Sequence, residues 1–148
     1  MDVKPATLQD IPRLCGLLDL LFEQEAEFQP DHERQAAGLA AIINDPQTGQ
    51  ILVLWEEDRI IGMVNLLFTV STALGGRVAI LEDMVVDASC RGGGAGSSLL
   101  QAAIESARRA GCLRITLLTD TSNRLAQTFY ARHGFVLSDM VPMRRQLD

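Results

Sequence analysis

Basic and aromatic residues are both scarce in this chain of 148 residues: 13 Lys and Arg stand against 19 Asp and Glu, and aromatics make up 5%. A formal net charge of −6 leaves no cationic footprint for a polyanion, so a nucleic-acid partner is excluded and a cationic or neutral small substrate fits better. Cysteine is scarce as well. Cys15, Cys90 and Cys112 are odd in number, widely spaced and without histidines at ligand spacing. Neither a disulfide framework nor a metal site is therefore expected, and a reducing, cytoplasmic location is. No apolar run approaches the ~20 residues that span a bilayer, and Met1-Asp2-Val3-Lys4-Pro5 has no basic-then-apolar leader, so no membrane association is expected.

Apolar residues are plentiful, at 47%, and this length suits one core, so residues 1–148 read as a single domain. Thr7 and Asp10 are placed to cap a helix whose apolar positions Ile11, Leu14, Leu17, Leu18, Leu21 and Phe22 follow the helical period, with Pro12 in its first turn. A charged, broken segment from Glu23 to Asp31 follows and reads as a mobile, substrate-facing region. Glu33 to Ile43 is a second, weaker amphipathic stretch, ended by Asn44-Asp45-Pro46. Ile51 to Trp55 and Ile60 to Val70 read as a hairpin about Glu57-Asp58, and Arg77 to Val86 adds a third strand after Gly75-Gly76. Arg91 to Gly96 is a glycine loop. Beyond it Leu99, Leu100, Ala103, Ile104 and Ala107 mark one face of a helix stopped by Gly111, and Leu113 to Leu118 is the next strand. Strand, crossover helix and strand imply a parallel pair, which makes the sheet mixed. A last helix spans Asn123 to Arg132 with Gly134 as its stop, and a final strand is expected from Phe135.

Arg91-Gly92-Gly93-Gly94-Ala95-Gly96-Ser97-Ser98 joins a strand end to a helix start, where backbone N–H groups lack helical partners and the helix dipole favours negative charge. Glycines let the backbone approach an anion closely, so the loop suits a pyrophosphate, with Arg91 or Ser97 as added donors. A P-loop needs a lysine after its last glycine, and Gly96-Ser97 lacks one. A dinucleotide fingerprint needs a third small residue at a fixed spacing, which Gly92, Gly94 and Ser97 miss.

Arg91-x-x-Gly94-x-Gly96, following the strand Leu81-Glu82-Asp83-Met84-Val85-Val86, resembles the acetyl-CoA signature of the GNAT superfamily of N-acetyltransferases. The block from Asn123 to Phe135, with Ala126, Tyr130 and Gly134 at its fixed positions, is similar to that superfamily's N-x-x-A-x-x-x-Y-x-x-x-G-F helix. The resemblance extends to the Thr7-x-x-Asp10 opening and the hairpin at Asp58, and Leu81-Glu82-Asp83 with Tyr130 looks most like the polyamine and diamine branch. It implies an α/β (α+β) fold: a mixed, mostly antiparallel sheet of six or seven strands flanked by about four helices. It also implies acetyl-CoA as co-substrate, no metal, a small-molecule or protein amine as acceptor, and a homodimer. Cofactor contacts would fall on Met84, Val85 and Val86, on Arg91, Gly92, Gly93, Gly94, Ala95, Gly96 and Ser97, and on Asn123.

Acyl transfer to an amine needs its neutral form, only ~0.1% of an alkylamine at pH 7, and hence a proton acceptor. Glu82 and Asp83 are consecutive carboxylates in an apolar strand, where burial is costly unless they are paired, solvated or functional. Strand parity sends them to opposite faces unless the strand is bulged, as the superfamily's strand commonly is. The resemblance assigns Glu82 as base, the backbone N–H of Val85 to the oxyanion, Tyr130 as proton donor to the thiolate and Asn123 to the pantetheine arm. Pairing with Arg77, Arg114 or backbone N–H groups is the structural alternative for Glu82 and Asp83; for Tyr130 it is packing beside Phe129, and for Asn123 a helix cap. The acids Glu23, Glu25, Glu27, Asp31 and Glu33 either attract a cationic amine or form a solvated face. A catalytically silent acyl-CoA-binding module is the competing function; it has no need of Glu82 and Tyr130.

Overall fold

The computed structural model describes residues 1–24 and 30–148, so Glu25 and Glu27 and most of the segment expected to face substrate lie outside the described residues. The chain forms two compact units, Met1–Leu118 and Thr119–Asp148.

The first unit is a sheet between helices. Its strands are β1 (Asp2–Pro5), β2 (Gly49–Glu56), β3 (Arg59–Ser71), β4 (Gly76–Val86) and β5 (Ile115–Leu117), in spatial order β1-β2-β3-β4-β5. Neighbours are antiparallel except β4 and β5, which are parallel and joined through α3 (Ala95–Arg109). Helices α1 (Ile11–Gln24) and α2 (His32–Ile43) precede β2. A single 3-10 turn, Leu8–Asp10, leads into α1; Asp10 closes it by accepting from the Thr7 amide at 2.8 Å, and Pro12 sits where its missing N–H costs nothing. Asp31 caps α2 by accepting from the Arg34 amide, which accounts structurally for one acid of the run.

Helices cover both faces of the sheet, so β3 is buried without alternation from Ile60 to Leu66. On one face Leu14, Leu17 and Leu18 of α1 and Leu39 of α2 pack with Ile51, Val53, Met63 and Val85. On the other, Leu99, Leu100, Ala103 and Ala107 bury the stripe of α3 against the sheet. Several fully enclosed leucines, each contributing ~2–5 kcal/mol against alanine, hold this unit together.

Two expectations are corrected. Among the described residues the sheet has five strands, not six or seven, and it gains β1, whose four residues include Lys4 and Pro5 and carry no apolar pattern. No strand begins at Phe135: residues 135–148 are irregular, with Val136, Leu137, Met140, Val141 and Met143 exposed. The second unit contains α4 (Arg124–Arg132) and no strand, so residues after Phe135 find within it no strand to pair with.

Candidate active site

In β4 the two carboxylates meet at a break in the ladder. Asn65 of β3 pairs with Glu82, whereas Met63 pairs with Val85, so two steps along β3 oppose three along β4. The extra residue is a β-bulge, and Asp83 takes the left-handed conformation at φ 53°, a position that Asp and Asn tolerate better than other side chains with a Cβ. The parity conflict between adjacent acids is thereby resolved. Glu82 and Val85 fall on one face, and the Asp83 carboxyl turns to the same side, where Oδ2 accepts from Asn65 Nδ2 at 2.5 Å. Gly62 lies beside this break because a Cβ there would come within 3.2 Å of the Val85 carbonyl oxygen and 3.3 Å of Leu99.

Burial pushes the Asp83 carboxyl up to about 6, the adjacent Glu82 charge pushes the same way, and the Asn65 bond opposes them. Glu82 is exposed. Arg77 is engaged elsewhere: it donates to Gln47 and lies over the Phe68 ring. Asn65 is 2% exposed and its Oδ1 has no partner. Sequence reasoning missed this residue, although a lone amide within the apolar run from Ile60 to Val70 is its signal.

Below the bulge β4 ends at Val86, and Asp87 is locked: its carboxylate accepts from Arg13 Nη2 at 2.7 Å and from the Ser89 amide at 3.0 Å, which hold its pKa down at about 2. Arg13 also donates to the Ile60 carbonyl at 2.9 Å, tying α1 to the strand ends that carry the loop. Arg91 Nε donates back to Val86 O at 3.2 Å. Gly92 and Gly94 have φ of 88° and 81°, and Gly94 is the N-cap of α3. The first intrahelical bond at this end is Ser98 N to Gly94 O, so the N–H groups of Ala95 and Gly96 precede the helical ladder, and Gly94 has no side chain to offer them. A Cβ built on Gly92, Gly93 or Gly94 meets nothing within 4 Å. The turn therefore borders open space in the directions their side chains would take.

In the second unit Asn123 Oδ1 accepts from the Ala126 amide at 3.1 Å and caps α4, its structural alternative. Gly134 at φ 91° ends the helix and returns Phe135 to the ring of Tyr130, edge on at 5.7 Å, while Phe129 meets it edge on at 5.3 Å. The spacing from Asn123 to Phe135 thus encodes a helix capped at both ends around one tyrosine. No group of three or more His, Cys, Asp and Glu able to hold a metal occurs among the described residues. Nor is any helix among them long and apolar enough to cross a membrane.

Residues 14–135 match the model of the Acetyltransferase (GNAT) family. Aminoalkylphosphonate N-acetyltransferase of Salmonella typhimurium is 29% identical over 134 residues, spanning 90% of this chain and 84% of that protein. Glucosamine 6-phosphate N-acetyltransferase 1 of Oryza sativa is 32% identical over 140 residues, 90% of this chain and 80% of that one. The fold matches that of a predicted acetyltransferase from Clostridium acetobutylicum, crystallised with acetyl-CoA, with a TM-score of 0.80 at 17% identity over 97% of this chain and 95% of that one.

Proposed function

The chain belongs to the Acetyltransferase (GNAT) family and is an acyl-CoA-dependent acyltransferase, and within that family we propose that it moves an acetyl group from acetyl-CoA to a small primary amine by direct attack in a ternary complex. One observation carries the proposal. A bulged strand with a buried carboxyl runs directly into a left-handed glycine turn at the start of a helix whose N-cap, Gly94, has no side chain to cap it.

The diphosphate of coenzyme A would accept from the N–H groups between Arg91 and Ser97, an interaction strengthened by the α3 dipole. By family resemblance Met84, Val85 and Val86 would meet the thioester end and Asn123 the pantetheine arm. As the amine nitrogen bonds to the acyl carbon, the Glu82–Asp83 pair takes its proton and the Val85 N–H donates to the carbonyl oxygen as negative charge gathers there. Collapse breaks the carbon–sulfur bond; the electron pair stays on sulfur, which receives a proton from Tyr130. The products are an amide and free coenzyme A, and the proton held by the carboxylates is returned to Tyr130 through solvent.

For the acceptor, the two relatives named for their substrates support an amine that also bears a phosphonate or phosphate. A panel of 2-aminoethylphosphonate, glucosamine 6-phosphate, spermidine and a lysine peptide, read by thiol release from acetyl-CoA, tests this. The phosphorus-bearing amines should be the fastest; preference for spermidine would overturn the acceptor class. Cofactor binding without thiol release from any amine would leave the silent module.

A further inference from the structure

We infer that Asn65 is a positioning residue that holds the Asp83 carboxyl beneath the β4 bulge in both its charged and its protonated form, making Asp83 the carboxyl that stores the amine's proton. The inference rests on the reaction proposed above and assigns one member of its carboxylate pair.

An amide at this place needs a reason. Asn65 lies in the middle of β3, 2% exposed, with Ile61, Met63, Val64 and Leu66 buried around it. Leaving a buried oxygen unpaired is costly, and an apolar residue of the same size avoids that cost. What the amide offers instead is a donor and an acceptor on one group. With Asp83 ionised, Nδ2 donates to Oδ2 and Asn65 Oδ1 is idle, which is the arrangement observed. Once Asp83 has taken a proton its hydroxyl becomes a donor, and a half turn of the Asn65 amide brings the idle Oδ1 to accept it. Neither state loses the bond, so the bulge need not rearrange during the proton's stay.

The surrounding charges leave this role to Asp83. Glu82 beside it is exposed and raises its affinity for a proton. Helix α1, which packs on β4, presents Leu14, Leu17 and Leu18; its charged Arg13 and Asp19 are committed to Asp87 and to His32 and Gln35, and its Glu23 is exposed. Helix α3, which also packs on β4, buries Leu99, Leu100 and Ala103, while its Glu105 and Arg108 pair with each other and Arg109 is exposed. β3 contributes Asn65 as its polar group at this level, and β5 carries no titratable side chain. An acceptor whose ordinary value of 3.8 is raised to about 6 binds a proton ~100-fold more tightly than an exposed aspartate.

Two measurements on the full chain test this. In Asn65→Leu, the acid limb of kcat/KM against pH should move up by about one unit and kcat should fall ~10-fold, with KM for acetyl-CoA unchanged, because both bonds are lost and the one to the charged carboxylate is the stronger. Asn65→Ser, which keeps a donor and an acceptor, should lie nearer the parent. In the unaltered protein, the side-chain amide resonances of Asn65 should titrate with the midpoint of the Asp83 carboxyl carbon. A parental pH profile in a folded Asn65→Leu overturns the inference; so do Asn65 amide resonances that stay flat while Asp83 titrates, a result that needs neither the variant nor a substrate. If no amine is acetylated, the proposed reaction fails while the nuclear resonance titration still judges the pair.

Discussion

Replacing Asp83 by Asn should make the protein more stable at neutral pH and less active. Asn has the same shape, tolerates the left-handed φ of 53° and still accepts from Asn65 Nδ2, so the substitution removes only the charge. The native carboxyl titrates at about 6 and the unfolded one near 3.8. Between these values the unfolded chain has released its proton and the native chain has kept it, so the stability of the parent falls as pH rises, by at most ~1.4 kcal/mol per unit. Above the native value the loss is complete, at most ~3 kcal/mol and about 1–2 kcal/mol once partial solvent screening is allowed for. Asp83→Asn escapes this. Its advantage in urea denaturation should be near zero at pH 3, grow between about pH 4 and 6, and then stay level. At roughly 3 °C per kcal/mol, its melting temperature at pH 7.5 should be about 3–6 °C higher. Turnover should fall by ~100-fold or more. A variant less stable than the parent at pH 7.5, or one whose difference ignores pH, refutes the reasoning.

Tyr130→Phe should lower kcat by ~100-fold while the affinity for coenzyme A stays within about twofold; equal turnover removes the hydroxyl from the reaction. Arg13→Ala should cost ~1 kcal/mol at pH 7 by freeing Asp87 and the Ile60 carbonyl. Because the pKa of Asp87 is depressed to about 2, that cost is present above pH 4 and should fade as pH drops towards 2, which denaturation midpoints across this range will check. Leu17→Ala, at a position with no solvent exposure, should destabilise by ~2–5 kcal/mol in the same assay.

Local features were the legible ones. The helix from Asn123 to Gly134 could be read because both of its ends are set by single residues, a capping amide and a left-handed glycine. The turn at Gly92 to Gly94 was readable for the same reason. The two acids of β4 announced a conflict with strand parity, but its resolution is the one-residue offset against β3, which depends on pairing between distant segments. Asn65 escaped notice because its meaning lies in what stands opposite it. β1 has no apolar period and is a strand only because β2 offers its edge. The strand expected from Phe135 failed in the opposite sense: Phe135, Val136 and Leu137 have the propensity, and residues 119–148 supply no partner.

Isothermal titration of acetyl-CoA into the unaltered chain and into Gly93→Glu tests the central claim most directly. Gly93 lies outside the left-handed region and a Cβ there meets nothing within 4 Å, so the variant should fold as the parent does, and any change reports the ligand alone. One saturable site per chain is expected in the parent, weakened by ~100-fold or more when a carboxylate stands where the phosphates should lie. No binding by the parent, or equal binding by both proteins, contradicts the assignment of this turn to coenzyme A.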